Sequence, residues 1–210
     1  MTTPAPPTKT LSVQQLRSIG ACEDACNALE KKFGEGDVPV TLEACLSVAD
    51  IVGAAGWEYI TSRLVFPLPQ SHDTMISSRF AECQEAVSAA TETFDAAYEE
   101  AHRQLEAAHR QNHAVCRDAT DAIEDAYDEA LSRLPGRGDD PDPPDAIKAA
   151  MCEFAAAADA KRTDAYVNYD EQHAHILSKH EARVATLEHD RNAALATAFY
   201  HAFTDTDTTA

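Results

Sequence analysis

The chain has 210 residues and a formal net charge of −19 at pH 7, because Asp and Glu total 36 whereas Lys and Arg total 17. This charge argues against direct binding to nucleic acid or to an anionic membrane, since both need a basic face. No segment approaches the roughly 18 consecutive apolar residues of a membrane span. The opening sequence MTTPAPPTKT is not a secretory signal, and six cysteines without a framework-like spacing fit a reducing compartment. We therefore expect a cytoplasmic protein.

Residues 11–66 are predicted to form a small helical unit after a disordered tail at 1–10. Its start and stop signals predict four short helices, of which the third reaches about Val52. These signals are a capping box at Ser12 and Gln15, a start at Cys22 with a stop at Gly34, a cap at Thr41, and a start after Gly56 for a helix with Trp57, Ile60 and Leu64.

A family resemblance lies within this unit, on Leu16–Ala25 (LRSIGACEDA), Phe33-Gly34, Val40–Ala44 and Trp57. These segments resemble a short helical region that opens many uncharacterised bacterial and phage-borne proteins, some of them described as immunity proteins. The chain departs from that pattern at Gly56, where an acidic residue is usual, and it lacks the second tryptophan. The resemblance implies a mobile-element or defence-related context, and it transfers no activity and no catalytic residue.

Two long segments without glycine or proline make up most of the remaining chain. Residues 70–134 and 145–210 contain neither, and a loop at 135–141 separates them. Apolar residues recur in both segments at a mean spacing of about 3.6 residues, the period of a helix. The short connection makes the two helices antiparallel. We therefore predict an all-α protein with a long antiparallel helical hairpin, or bundle, over 70–204 and a disordered tail at 205–210.

The seam between the two arms is predicted to be mostly alanine with scattered larger residues. The inward positions run from Phe80 to Leu134 on the first arm and from Ile147 to Ala202 on the second. They include Tyr98 on the first arm and Gln172 on the second. Small seam residues allow close approach of the two helices.

The register follows from the position of the tip. With the tip near residue 139, position n of the first arm faces about 278 − n of the second. Asn112 then lies opposite position 166, near Asn168. Polar seam residues set a register or mark a break. Either the hairpin dimerises into a four-helix arrangement, or its arms break near Asn112 and Asn168 and fold back.

Motifs for catalysis and for cofactor binding are weak. The chain has no glycine-rich phosphate loop and no nucleophile elbow, so we predict neither an enzyme nor a cofactor. Cys22, Cys26 and Cys45 could contribute to a structural zinc site, but no fourth ligand lies nearby in sequence. Packing of these cysteines in the core is the preferred interpretation.

Histidines on the first arm raise a second metal hypothesis. Glu99-x-x-His102 and Glu106-x-x-His109 match the Glu-x-x-His pattern of di-iron bundles. Both matches lie on one helix, however, and the predicted register places Ile176 and Gln172 opposite, which are poor ligands. A polar face or a pH-sensitive patch is preferred, and no metal ligand is assigned.

Acidic residues are concentrated near the tip of the hairpin. Residues 118–145 carry ten acidic and two basic side chains, and Asp118, Asp121, Asp125 and Asp128 recur at helical spacing. One interpretation is a solvated surface that confers solubility. The other is a partner-binding surface that docks on a basic protein. Its predicted members are Asp118, Asp121, Glu124, Asp125, Asp128, Glu129, Asp139 and Asp140.

The leading functional hypothesis is a non-enzymatic, acidic protein-interaction module. It is an inhibitor from a phage or mobile element, such as an anti-CRISPR protein, that occludes a basic, nucleic-acid-binding protein surface. One alternative is a structural or assembly protein that forms a homodimer or larger oligomer through its apolar seam. Another is a metal-binding helical bundle.

Overall fold

The computed structural model describes residues 9–65, 74–134 and 144–204. It confirms the predicted all-α class: a small N-terminal helical part precedes two long helices that pack against each other as a hairpin. The predicted loop at 135–141 and tail at 205–210 lie outside the described residues. The elements in chain order are β1 (Thr10–Leu11), α1 (Val13–Ser18), α2 (Glu23–Phe33), β2 (Val38–Pro39), α3 (Leu42–Ser47), α4 (Ala49–Ile60), a π-helix (Thr61–Val65), α5 (Thr74–Ser132) and α6 (Asp145–Thr204).

The helix caps of the N-terminal part agree with the sequence signals. The Ser12 hydroxyl accepts a hydrogen bond from the backbone N–H of Gln15 at 3.1 Å, and the Gln15 side chain accepts from the Ser12 N–H at 2.8 Å. The Thr41 hydroxyl accepts from the Ala44 N–H at 3.1 Å and begins α3. Each bond satisfies a backbone donor that the first turn of a helix leaves without a partner.

Two local predictions in this part are wrong. Thr10, which was assigned to the disordered tail, pairs with Pro39 in a short antiparallel ladder between β1 and β2. The third helix ends at Ser47 instead of Val52, and α4 contains the break at Gly53, where φ is 67°. Glycine adopts this left-handed conformation without a steric penalty. Gly56 lies within α4, and a Cβ atom there would come within 2.8 Å of Val52 Cγ1.

The described residues form two compact units, which divide inside the long helices. The first unit takes α5 up to Glu99 and α6 from Val184, together with the N-terminal elements. The second unit is the part of the hairpin within Glu100–Arg183. The core of the first unit includes Trp57 and Phe199, whose ring centroids lie 5.3 Å apart. The N-terminal elements therefore share one core with the ends of α5 and α6.

The predicted seam is correct except at two positions. Tyr98 is 42% exposed, and Gln172 is exposed while His173 takes the inward place. The other predicted inward positions whose side chains are described are buried or half-buried. Steps of three and four residues must alternate irregularly to follow a period near 3.6. The mean spacing therefore gives the face of the helix but not the residue at each step.

A polar cluster joins α4 to α6 within the first unit. Asp50 Oδ2 lies 2.7 Å from His189 Nδ1, and Asp50 Oδ1 accepts a hydrogen bond from Asn192 Nδ2 at 3.2 Å. Hydrogen bonds from His189 and then Asn192 lower the pKa of Asp50 below 3.8. The hydrogen bond to Asp50 raises the pKa of His189 above 6.5. Both partners are therefore mostly ionised near pH 5.

Replacement His189→Gln should destabilise the protein most near pH 5. The stabilisation from His189 is complete below pH 6.5 and is lost as the pH rises through its raised pKa. That from Asp50 is complete above pH 3.8 and is lost as the pH falls through its lowered pKa. Urea denaturation at pH 5 and pH 9 tests this, with exposed His175→Gln as the control. An equal loss of stability at both pH values would contradict it.

Candidate partner-binding surface

The second unit carries the acidic residues that the sequence singles out. Six of the eight predicted members lie on the last part of α5, and all six side chains are exposed. Asp139 and Asp140 lie outside the described residues. The six described members, which we call the acidic surface, are Asp118, Asp121, Glu124, Asp125, Asp128 and Glu129.

Three members of the acidic surface, Asp121, Asp125 and Asp128, face away from the partner helix of the hairpin. Ile123 and Tyr127 on the same stretch of α5 are half-buried in the seam. Because successive residues are about 100° apart around a helix, Asp121, Asp125 and Asp128 project on the opposite side. Packing of the seam thus directs these three carboxylates, which we call the stripe, toward solvent.

Half of the acidic surface has no ion pair with another described residue. Arg117, Arg162 and Arg133 pair with three of its members, in the contacts Asp118–Arg117 at 3.5 Å, Glu124–Arg162 at 3.8 Å and Glu129–Arg133 at 2.6 Å. Across the described part of the chain, Asp121, Asp125 and Asp128 make no ion pair. Three adjacent exposed carboxylates therefore remain available to a cationic partner.

A ladder of ring side chains lies midway along the hairpin, with His102 and His113 exposed and its other members half-buried. Three of its pairs span the two helices: His102 with His180, His109 with His173, and His113 with Tyr169, at ring-centroid distances of 6.3, 4.6 and 6.5 Å. Position n of α5 thus faces about 282 − n of α6. The predicted register of 278 − n is wrong by about one helical turn, because it depended on the assumed position of the tip.

The seam asparagine links the helices without breaking them. Asn112 Nδ2 donates to the backbone carbonyl of Tyr169 at 3.1 Å, so it faces Tyr169 instead of position 166. Both α5 and α6 continue as helices through Asn112 and Asn168. Of the two alternatives, the break near Asn112 and Asn168 is therefore wrong. A polar residue here fixes the alignment of one arm against the other, since a shift would leave its amide without this acceptor.

The ladder was identifiable from the sequence. Its members on α5 are spaced by seven and then four residues, at 102, 109 and 113. Its members on α6 show the mirror image of that spacing, at 180, 173 and 169. Mirrored spacing is the signature of paired layers in an antiparallel hairpin. It would have given the register without any assumption about the tip.

Two imidazole nitrogens of the ladder are buried without compensation. His109 Nε2 and His173 Nδ1 have no hydrogen-bond partner among the described residues, although their rings stack. A buried polar atom without a partner costs about 1–3 kcal/mol, whereas an apolar pair of similar shape does not carry this cost. The histidine pair is therefore a weak point of the seam.

The double replacement His109→Leu with His173→Leu should stabilise the protein by about 1–3 kcal/mol. Leucine fills the seam and removes both uncompensated nitrogens. Chemical denaturation at pH 8 measures the change, and exposed His175→Leu provides the control. A destabilised double variant would show that the imidazoles have stabilising partners.

The residues of the metal hypotheses do not come together. Among the described residues, no three His, Cys, Asp or Glu side chains are arranged to hold a metal ion. Cys22 is exposed, whereas Cys26 and Cys45 are buried in the first unit. Burial raises the pKa of the Cys26 thiol, and it raises that of Cys45 to about 11. Burial therefore opposes ionisation of both thiols.

Comparisons with known proteins give no relative for this chain. No family model matches it, and neither a curated protein nor a solved structure shows a significant match. In residues 9–65, 74–134 and 144–204, no helix has the length and apolar character to cross a membrane. The proposed function therefore depends on the site and on the sequence.

Proposed function

We propose that this protein is a non-enzymatic, cytoplasmic interaction module whose acidic surface binds a basic surface of another protein. The observation that carries the proposal is the exposed stripe of Asp121, Asp125 and Asp128, which have no ion pairs in the described chain. Like charges held together on one rigid helix face repel each other. A cationic partner relieves this repulsion and gains attraction from all three carboxylates.

The proposed mode of action is occlusion. A protein with a net charge of −19 attracts basic surfaces over long range, and this attraction speeds encounter. Basic grooves on proteins commonly bind nucleic acid. The acidic surface would thus compete with nucleic acid for the same groove. The resemblance of residues 11–66 to phage-borne segments supports an anti-defence role, for example as an anti-CRISPR protein.

The test compares two variants that lose the same number of charges. The first, called the stripe variant, neutralises the stripe and the neighbouring Asp118 on the second unit, in the set Asp118→Asn, Asp121→Asn, Asp125→Asn and Asp128→Asn. The control neutralises exposed acids on the first unit, in the set Glu85→Gln, Glu92→Gln, Asp95→Asn and Glu99→Gln. Each protein is immobilised and used to capture partners from a lysate of the host bacterium, at low and at high salt.

A genuine partner should be captured by the wild type and by the control but lost from the stripe variant. Its capture should weaken as salt rises, because exposed charges are screened. Added nucleic acid should displace it. Equal capture by the wild type and the stripe variant, with helical content unchanged, would contradict the proposal.

A structural oligomer is the second candidate, and shallow burial in the hairpin favours it. Within the described residues of Glu100–Arg183, the buried side chains are Ala101, Leu131 and Ala158. Exposed apolar residues of the same unit include Val115, Tyr166 and Val167. A second copy would cover such side chains in a four-helix arrangement. Sedimentation equilibrium distinguishes the two candidates, because an oligomer that is insensitive to the stripe variant supports assembly.

A further inference from the structure

An apolar groove lies between α5 and α6 near the acidic surface. It has a volume of about 140 Å³. Its larger side chains, Ile123, Tyr127 and Phe154, are half-buried, and alanines form most of the rest of its lining. Ala126 and Ala157 line opposite sides of the groove and are exposed. A third helix could therefore approach the bottom of the groove closely, and it would cover Ile123, Tyr127 and Phe154.

The groove opens on one face of the hairpin, while a cross-helix ion pair occupies the other. Glu124 and Arg162 meet at 3.8 Å across the two helices. Ala126 lies about 200° around α5 from Glu124, and Ala157 lies about 140° around α6 from Arg162. The Glu124–Arg162 ion pair therefore does not cover the face of the hairpin that has the groove.

Acidic residues flank the groove on both helices. On α5, Glu129 lies one turn from Ala126 and pairs with Arg133 at 2.6 Å. On α6, Glu153 and Asp164 lie one and two turns from Ala157 on the same side of the helix. Lys161 lines the groove and offsets part of this charge. Glu153 and Asp164 outnumber Lys161 and leave the α6 rim of the groove negatively charged.

We propose that this groove binds an amphipathic helix of the partner, whose apolar stripe packs on Ile123, Tyr127 and Phe154 and whose Lys or Arg residues contact the flanking acids. The proposal rests on the proposed function and specifies the kind of partner that the acidic surface recruits. Charge complementarity selects this occupant. A second copy would bring its own acidic α5 against the same rim, where like charges repel.

Synthetic peptides test the groove directly. The probe is a peptide of about 18 residues, long enough to form a helix, with leucine at i, i+3, i+4 and i+7 spacing and lysine elsewhere. The comparison peptide is an oligolysine of the same net charge. Fluorescence anisotropy measures the Kd of both for the full chain.

Groove variants separate packing from charge. Ala157→Gln and Ala126→Gln each fill the groove from one side with a residue that favours helix. Ala156→Gln is the matched control, because Ala156 is exposed and lies outside the groove lining. Circular dichroism and the melting temperature verify that each variant folds. Either groove variant suffices if the other does not fold.

The amphipathic peptide should bind the wild type about tenfold or more tightly than oligolysine. Each groove variant should lose that advantage, while Ala156→Gln retains it. Equal binding of the two peptides, or unchanged binding by both groove variants, would overturn the groove. So would a dimeric wild type that Ala157→Gln converts to a monomer, because a second copy would then be the occupant.

The four-residue stripe variant keeps this proposal distinct from the proposed function. If the stripe variant binds the amphipathic peptide more weakly while the groove variants bind normally, the groove proposal is wrong and the role of the acidic surface is supported. If the groove variants bind the amphipathic peptide weakly and the stripe variant binds it normally, the groove proposal is supported and the role of the stripe is wrong.

Discussion

Phe199→Ala should lower the free energy of unfolding by about 3–5 kcal/mol. Phe199 is 1% exposed, and its ring packs 5.3 Å from Trp57 and 5.3 Å from Phe203. Truncation removes these contacts and leaves a cavity in the first unit. Urea denaturation measures the loss through the fluorescence of Trp57, which is the single tryptophan of the chain.

Tyr166→Ala is the control for this core substitution. Tyr166 is 55% exposed on α6, so its removal should change stability by less than about 0.5 kcal/mol. A loss from Phe199→Ala as small as that from Tyr166→Ala would contradict the packing of α6 against the N-terminal helices.

Ala101→Pro should cost about 3 kcal/mol or more. Ala101 is 2% exposed and lies in the middle of α5, where proline removes a backbone hydrogen bond and clashes with the preceding turn. The cost combines broken helix with disturbed packing of the seam. Circular dichroism and chemical denaturation measure both effects.

Proline at a helix start gives the matched comparison. Asp145→Pro places the ring at the first position of α6, where the backbone N–H has no partner within the helix. Its cost should be far smaller than that of Ala101→Pro. Similar costs for the two substitutions would show that α5 is not continuous through Ala101.

Local signals predicted much of this fold because they act within a few residues. The structure confirms the predicted cap at Ser12 and the predicted stop at Gly34. It also confirms the predicted inward face of each long helix. The sequence predicts an interruption between about Val52 and Gly56, and the structure has it at Gly53. The sequence does not show that Gly53 adopts a positive φ angle, whereas Gly56 leaves space for the Val52 side chain.

Features that depend on pairing between distant segments were harder to predict. The β1–β2 pairing of Thr10 with Pro39 joins two-residue strands, which are too short to show an alternating pattern. The hairpin register was wrong because it rested on the tip position, whereas the mirrored ring residues define it. The acidic stripe was found by spacing alone. The groove beside it appears only when Phe154 is placed opposite Ile123 and Tyr127.

The association rate constant at low ionic strength tests the central claim most directly. It is measured for the captured partner with the wild type, the stripe variant and the variant neutralised on the first unit. If the acidic surface steers binding, the stripe variant should associate about tenfold or more slowly, and the control should stay close to the wild type. Equal slowing of the two variants would show that net charge, and not the stripe of Asp121, Asp125 and Asp128, governs recognition. An unchanged rate for the stripe variant would contradict the claim outright.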